Sequence, residues 1–173
     1  MRRYGFLLLA LFLTGRAAAE GPVYQLGKTP TDAEILAIDT LVDQDGNILP
    51  EGRGAPAEGS EIFAQRCVAC HGSNGEGTNT VAGVAPMLIA REQAGTDGIR
   101  RLHFATTLFS FIYRAMPMHE EKSLSEDQVY ALVAFLLYRN GITQEDEEMN
   151  AKSLPQVVMP NRDAWSAPPE TTG

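Results

Sequence analysis

The chain has 173 residues, with 14 Lys and Arg against 22 Asp and Glu, a formal charge of −8 and 44% hydrophobic residues. This acidic balance argues against a nucleic-acid partner, because phosphate backbones are bound by clustered Lys and Arg. The length suits one core with extended ends better than two domains, and no internal repeat or low-complexity tract is present.

Residues 1–19 read as an export signal. Arg2 and Arg3 form a charged start, Phe6 to Leu13 is apolar, and Ala17-Ala18-Ala19 suits a signal peptidase, with cleavage expected before Glu20. The apolar run is short for a bilayer, so no stable membrane span is expected after cleavage, an uncleaved anchor being the alternative. Losing Arg2, Arg3 and Arg16 with the signal takes the 14 basic residues to 11 against 22 acidic ones, a net charge of −11. A periplasmic location is expected. The mature chain then divides into an N-terminal extension over 20–56, a body over 57–142 and a tail over 143–173 that wraps the body. The Pro- and Gly-rich stretches Gly46 to Gly59 and Leu154 to Gly173 mark its extended parts.

In the body, Gly59, Ile62, Phe63, Arg66 and Cys67 recur at helical spacing after Pro56, which predicts a short helix. It runs into Cys67-Val68-Ala69-Cys70-His71, the Cys-x-x-Cys-His pattern that covalent attachment of one haem c requires. On a helical turn both sulfurs lie on one face and can add to the two vinyl groups on one porphyrin edge, while His71 offers a nitrogen to the iron. Two other chemistries use such a pair. A structural zinc site needs four ligands, and only His103 and His119 remain beyond the motif. A thioredoxin-like pair belongs in a βαβ pattern, whereas this one follows a helical segment and precedes a Gly/Asn loop.

Further on, Ala105, Leu108, Phe109, Ile112 and Ala115 predict an amphipathic helix from about Gly98 to Ala115, stopped after Met116 by Pro117. Ser125-Glu126-Asp127-Gln128 reads as a capping box for another helix that ends near Asn140-Gly141. That helix carries two apolar stripes, Val129, Leu132, Val133 and Leu136, and Tyr130, Ala134, Leu137 and Tyr138, so it is expected to be sandwiched. No segment alternates with period two, and the expected fold class is all-α.

These residues resemble the class I cytochromes c, whose helices pack around one covalent haem. Gly59 and Phe63 stand where that family's first helix has them, with Leu132 and Phe135 as partners of the close helix crossing. Ala85-Pro86-Met87-Leu88 is similar to the family's Gly-Pro-x-Leu loop, which implies that the Pro86 carbonyl orients His71. Met116-Pro117 resembles the family's ligand loop and implies Met116 as the sixth ligand, a soft thioether that raises the potential. Met118, Met87, Met159 and His119 are the other candidates; any single methionine can equally be core filler. Arg91, Arg100 and Arg101 are either propionate donors or a solvated basic face. His103 reads as a packed or surface histidine, Gln144 to Glu148 as a solvated run that could also dock a basic partner, and Trp165 as an anchor for the tail.

A more specific resemblance lies outside the haem motif. Leu26-Gly27-Lys28, Thr31-Asp32-Ala33-Glu34-Ile35, Ala105-Thr106-Thr107-Leu108-Phe109, Arg114-Ala115-Met116-Pro117, Ser123 to Ala131, Ser153-Leu154-Pro155 and Met159 to Asp163 are similar to the cytochrome c subunits of bacterial sulfite and sulfur dehydrogenases. The chain departs from that family in having one haem motif and in carrying Leu102-His103-Phe104 where Trp-Pro-Tyr is expected. The resemblance implies a single-electron carrier that accepts electrons from a molybdenum-cofactor dehydrogenase subunit and passes them to another cytochrome or a terminal oxidase. Two other readings compete. One is a haem protein with a labile sixth ligand that binds a small molecule or acts as a peroxidase; the other is a sensor or structural subunit.

Overall fold

A computed structural model of the chain describes residues 27–38, 41–80, 83–92 and 95–164. The export signal, Leu26 and Trp165 lie outside the described residues. The chain divides into two units, Met1–Ile38 and Asp39–Gly173.

In the first unit, helix α1 (Asp32–Ile38) starts from a reciprocal cap. The Thr31 N–H donates to Glu34 Oε2 at 2.9 Å and the Glu34 N–H to Thr31 Oγ1 at 3.3 Å. Lys28 Nζ donates to the same carboxylate at 2.7 Å. Lys28 first, then Thr31, holds the Glu34 carboxyl below its ordinary range.

The second unit holds α2 (Pro56–Arg66), the single turn α3 (Val68–His71), α4 (Ala105–Ala115) and α5 (Glu126–Arg139). Two antiparallel pairs accompany them: β1 (Arg53–Gly54) with β4 (Met149–Asn150), and β2 (Thr78–Thr80) with β3 (Gly83–Ala85). The body is mostly helical, and the all-α expectation is corrected only by these pairs. Ladders of two or three residues are too short to leave a period-two signature in the sequence.

Helix α2 begins as the sequence predicts, with Pro56 at its first position, where a missing N–H costs nothing. Glu58 Oε2 accepts from the Ala55 N–H at 3.0 Å. Helix α5 carries the full capping box: Ser125 Oγ accepts from the Gln128 N–H at 3.3 Å, and Gln128 Oε1 from the Ser125 N–H at 3.0 Å. Every residue from Val129 to Leu137 is buried, so both apolar stripes are covered except at half-buried Tyr138, by α2, β1, β4 and α4. At about 1.5–3 kcal/mol per large side chain removed from water, this helix is the main source of core stability. Tyr130 packs on Phe109 with ring centroids 4.5 Å apart and donates its hydroxyl to Pro50 O at 2.9 Å. Met149, Leu154, Val157 and Met159 join the same core, so Met159 serves as packing.

The close crossing of α2 and α5 rests on Gly59. A Cβ there would overlap Ala131 O and lie 2.7 Å from Phe135 Cβ. Phe135 is the expected partner, but Ala131 takes the place expected for Leu132. Residues 131 and 135 share one helical face, and Leu132 is turned about 100° away, into the cavity described below. The Phe63 and Phe135 rings meet beside the crossing, 5.3 Å between centroids.

The helix predicted from Gly98 to Ala115 is split. Gly98 takes a left-handed φ of 57°, Gly98–Arg101 forms a 3-10 turn, and α4 starts only at Ala105 after extended Leu102 and Phe104. Arg100 lies inside the 3-10 turn. It is 8% exposed and donates from Nε to Gly95 O at 2.8 Å and from Nη1 to Asn140 O at 2.6 Å, placing a cation on the C-terminus of α5.

Asn140 is the second half of this junction. Its Oδ1 accepts from the Ala90 N–H at 2.9 Å, and its Nδ2 donates to Leu136 O at 2.7 Å and Leu88 O at 3.2 Å. It thereby ties the segment after Pro86 to the end of α5. Asn140→Ala strands the part-buried Ala90 N–H, while the Leu88 and Leu136 carbonyls keep their backbone donors Ile99 and Asn140, and it is expected to cost about 1–2 kcal/mol, read as a lower urea midpoint of the haem-loaded protein.

Candidate functional site

The chain leaves α2 through Cys67, whose carbonyl accepts from the Cys70 N–H at 3.2 Å and the His71 N–H at 2.9 Å. This single turn places the two cysteines and the histidine together, as their spacing predicts. The two sulfurs are not joined in a disulfide, and burial is the main cause that pushes the Cys67 thiol up to about 11 before any attachment.

The return of the chain toward His71 depends on a glycine that sequence patterning does not single out. Gly77 has φ +80°, and a Cβ there would lie 2.7 Å from Met87 N and 3.0 Å from Pro86 C. Its N–H donates to His71 O at 2.8 Å, and Thr78 Oγ1 donates to Cys70 O at 2.5 Å. The β2–β3 hairpin then brings the Pro86 carbonyl to 2.9 Å from His71 Nδ1. A carbonyl can only accept, so Nδ1 carries the proton and Nε2 keeps its lone pair.

Cys67, Cys70, His71, Pro86 and Met116 all line one cavity of about 620 Å³. Its walls are mostly apolar, with Phe63, Ile99, Leu108, Ile112, Leu132 and Leu136 among them. Met116 caps α4 in an extended conformation (φ −122°, ψ 147°), its N–H donating to Ile112 O at 3.1 Å, and the Met116–Pro117 peptide is cis. Met116 is half-buried, whereas Met118, which also lines the cavity, is 58% exposed. His119 is exposed and His103 borders a different pocket, beside Arg101, Phe104 and Arg162; neither lines this one.

The three candidate arginines separate. Arg101 borders the cavity. Arg91 pairs with Asp97 at 3.4 Å on the surface, and Arg100 is buried on Gly95 and Asn140, so it is no part of a solvated face and does not line the cavity. Across the cavity mouth, Arg66 Nη2 donates to Glu120 Oε2 at 2.7 Å and to Ser123 Oγ at 2.9 Å. These cross-chain contacts lack a local sequence signature.

The donor set fits a covalent haem. Two thiols one helical turn apart, an imidazole of fixed tautomer and a thioether surround an apolar cavity, which is what thioether attachment and two axial bonds need. Among the described residues no group of three or more His, Cys, Asp or Glu is arranged to hold a metal ion. Among the described residues no helix is long and apolar enough to cross a membrane.

The sequence family described as cytochrome C oxidase, cbb3-type, subunit III matches residues 54–136. A thiosulfate dehydrogenase of Stutzerimonas stutzeri (strain A1501) is 30% identical over 88 residues, which is 50% of this chain but 28% of that protein. The chain thus spans little more than a quarter of that curated relative. The solved sulfane dehydrogenase SoxCD from Paracoccus pantotrophus is 33% identical with a TM-score of 0.69, covering 85% of this chain and 73% of the matched one. With a likeness to SoxCD that spans most of both chains, beside the family match over residues 54–136, the chain belongs to the cytochrome c family and is of the sulfur-dehydrogenase type.

Proposed function

We propose that the protein is an exported, periplasmic class I cytochrome with one haem c, which takes single electrons from a molybdenum-cofactor dehydrogenase acting on sulfite or another sulfur compound. Another cytochrome or a terminal oxidase receives them. The observation that carries this reading is the meeting of Cys67, Cys70, His71 and Met116 around one apolar cavity, with His71 Nδ1 2.9 Å from Pro86 O. The similarity to a sulfane dehydrogenase and to a thiosulfate dehydrogenase supports the class of partner.

When bound, haem c supplies a one-electron ferric–ferrous couple. The chain does the rest. Cys67 and Cys70 would tether the group, His71 would offer Nε2 to the iron while Pro86 O holds its Nδ1–H, and Met116 would offer its sulfur. With both His71 and Met116 engaged, no iron position would be left to a substrate, so the protein would transfer electrons and leave the oxidation chemistry to its partner. The apolar walls exclude water and limit reorganisation around the changing charge. Arg101, at the cavity edge, is the cation available to the propionates. Residues 1–19 act as the signal, and 57–142 as the haem domain, between an extension over 20–56 and a wrapping tail over 143–173.

The test is stopped-flow mixing of the oxidised holoprotein with sulfite and a purified molybdenum sulfite-oxidising enzyme. Fast haem reduction is expected only when the enzyme is present. Carbon monoxide decides the rival reading: the reduced protein should bind it slowly or not at all, and rapid stoichiometric binding would identify a labile sixth ligand instead.

A further inference from the structure

The segment after Met116 holds two non-glycine residues in the left-handed region, His119 at φ 73° and Lys122 at φ 61°. Side chains rarely adopt that conformation, and it persists where surrounding contacts over-determine the backbone. Two tight turns set these angles, closed by the Glu120 N–H on Pro117 O at 2.9 Å and the Ser123 N–H on Glu120 O at 3.2 Å, and a contact from across the cavity pins the turns. Arg66, in the last turn of α2 and directly before Cys67, uses one nitrogen to reach Glu120 Oε2 at 2.7 Å and Ser123 Oγ at 2.9 Å. A local contact adds to them, as the His119 N–H donates to Glu121 Oε1 at 3.1 Å. Arg66, Glu120, Met116 and Met118 all border the haem cavity, so this link spans its mouth from the cysteine side to the methionine side.

We propose that Arg66 is a positioning residue: it clamps the strained 117–123 loop onto the motif helix and thereby holds Met116 against the haem cavity. The proposal rests on the reading of Met116 as the sixth ligand. Glu120 and Ser123 are the two halves of the loop-side grip. Because Arg66 is bonded to the backbone neighbourhood of Cys67 through its own chain, any partner that docks over the mouth and pulls Glu120 away loosens the methionine side while leaving the tethers in place. The groups are partly exposed, 34% for Arg66 and 64% for Glu120, which limits a single grip to an effect of about fivefold.

The experiment compares the holoprotein with Arg66→Gln, Glu120→Gln, the double variant and Arg91→Gln, a control whose pair with Asp97 lies away from the cavity. Three measurements are made: amide hydrogen exchange over 117–123, the rate of carbon monoxide binding to the reduced protein, and the far-red sulfur-to-iron band as pH is raised. Arg66→Gln should speed loop exchange and carbon monoxide binding about fivefold and lose the far-red band at lower pH than the parent, and Glu120→Gln should do the same to a smaller extent, since it leaves the bond to Ser123. The double variant should go no further than Arg66→Gln, which already removes both halves of the grip. Loop exchange unchanged in both single variants overturns the clamp whatever the sixth ligand is. Faster exchange with carbon monoxide binding and the band both unchanged overturns the link to Met116. A parent protein that never shows the band sinks the Met116 reading instead, and loop exchange then still decides the clamp by itself.

Discussion

Replacing Met116 by alanine is expected to abolish the far-red sulfur-to-iron band and to open the reduced protein to rapid carbon monoxide binding. The same substitution should lower the reduction potential by on the order of 0.1 V or more, within the roughly 0.8 V over which axial ligands tune haem proteins. The direction follows from softness: a thioether favours ferrous iron, and water or hydroxide in its place favours ferric. Met116 is the stronger candidate because it is half-buried at the end of α4, anchored through its N–H on Ile112, while Met118 is 58% exposed on the loop beyond. Met118→Ala should therefore keep the band and shift the potential little. A band that survives in Met116→Ala and vanishes in Met118→Ala would reverse the assignment.

Gly59→Ala should destabilise the holoprotein by about 3 kcal/mol, and Gly59→Val should leave little folded protein. Two effects oppose each other at this position. An alanine inside a helix is worth about 1 kcal/mol over glycine by propensity. Against that, a Cβ at Gly59 overlaps Ala131 O and lies 2.5 Å from Ala131 C, backbone atoms of the most buried helix in the molecule. Backbone in the middle of α5 has no side chain to swing aside, so the steric term wins. Ala131→Gly should not rescue the variant, because the obstacle is the carbonyl and not the methyl group. A chemical-denaturation midpoint equal to or above the parent's in Gly59→Ala would show that the helices part easily, and the crossing would then not govern the fold.

Residues differ in how legible their roles are. Gly59, Phe63, Pro86 and Phe135 are picked out by the family resemblance alone, and they stand at a helix crossing and beside His71 in the folded chain. The capping box of α5 is equally local: four consecutive residues hold both of its hydrogen bonds, so sequence suffices. Arg100 is the opposite case. Its neighbours suggest a charged surface or a propionate donor, yet its guanidinium is bound to Gly95 O and Asn140 O, 5 and 40 residues away. The helix that the periodicity would carry back to Gly98 is interrupted just after it by extended Leu102 and Phe104. Gly77 is intermediate; a glycine in a Gly/Asn loop is unremarkable until the fold sets the Met87 amide against it.

By itself the sequence determined the cofactor motif and most of the helices, because both depend on residues within a few positions of one another: Cys67, Cys70 and His71 on one turn, the stripes of α4 and α5, and the cap of α5. Only the tertiary structure decided what surrounds them. It put Met116 and His71 on one cavity, turned Leu132 rather than Ala131 toward that cavity, gave Arg100 to the end of α5, and joined Arg66 to Glu120 across 54 residues of chain. Local rules run out at such distances, since a hydrogen bond or a packing contact between remote segments depends on where the whole core has placed their backbones.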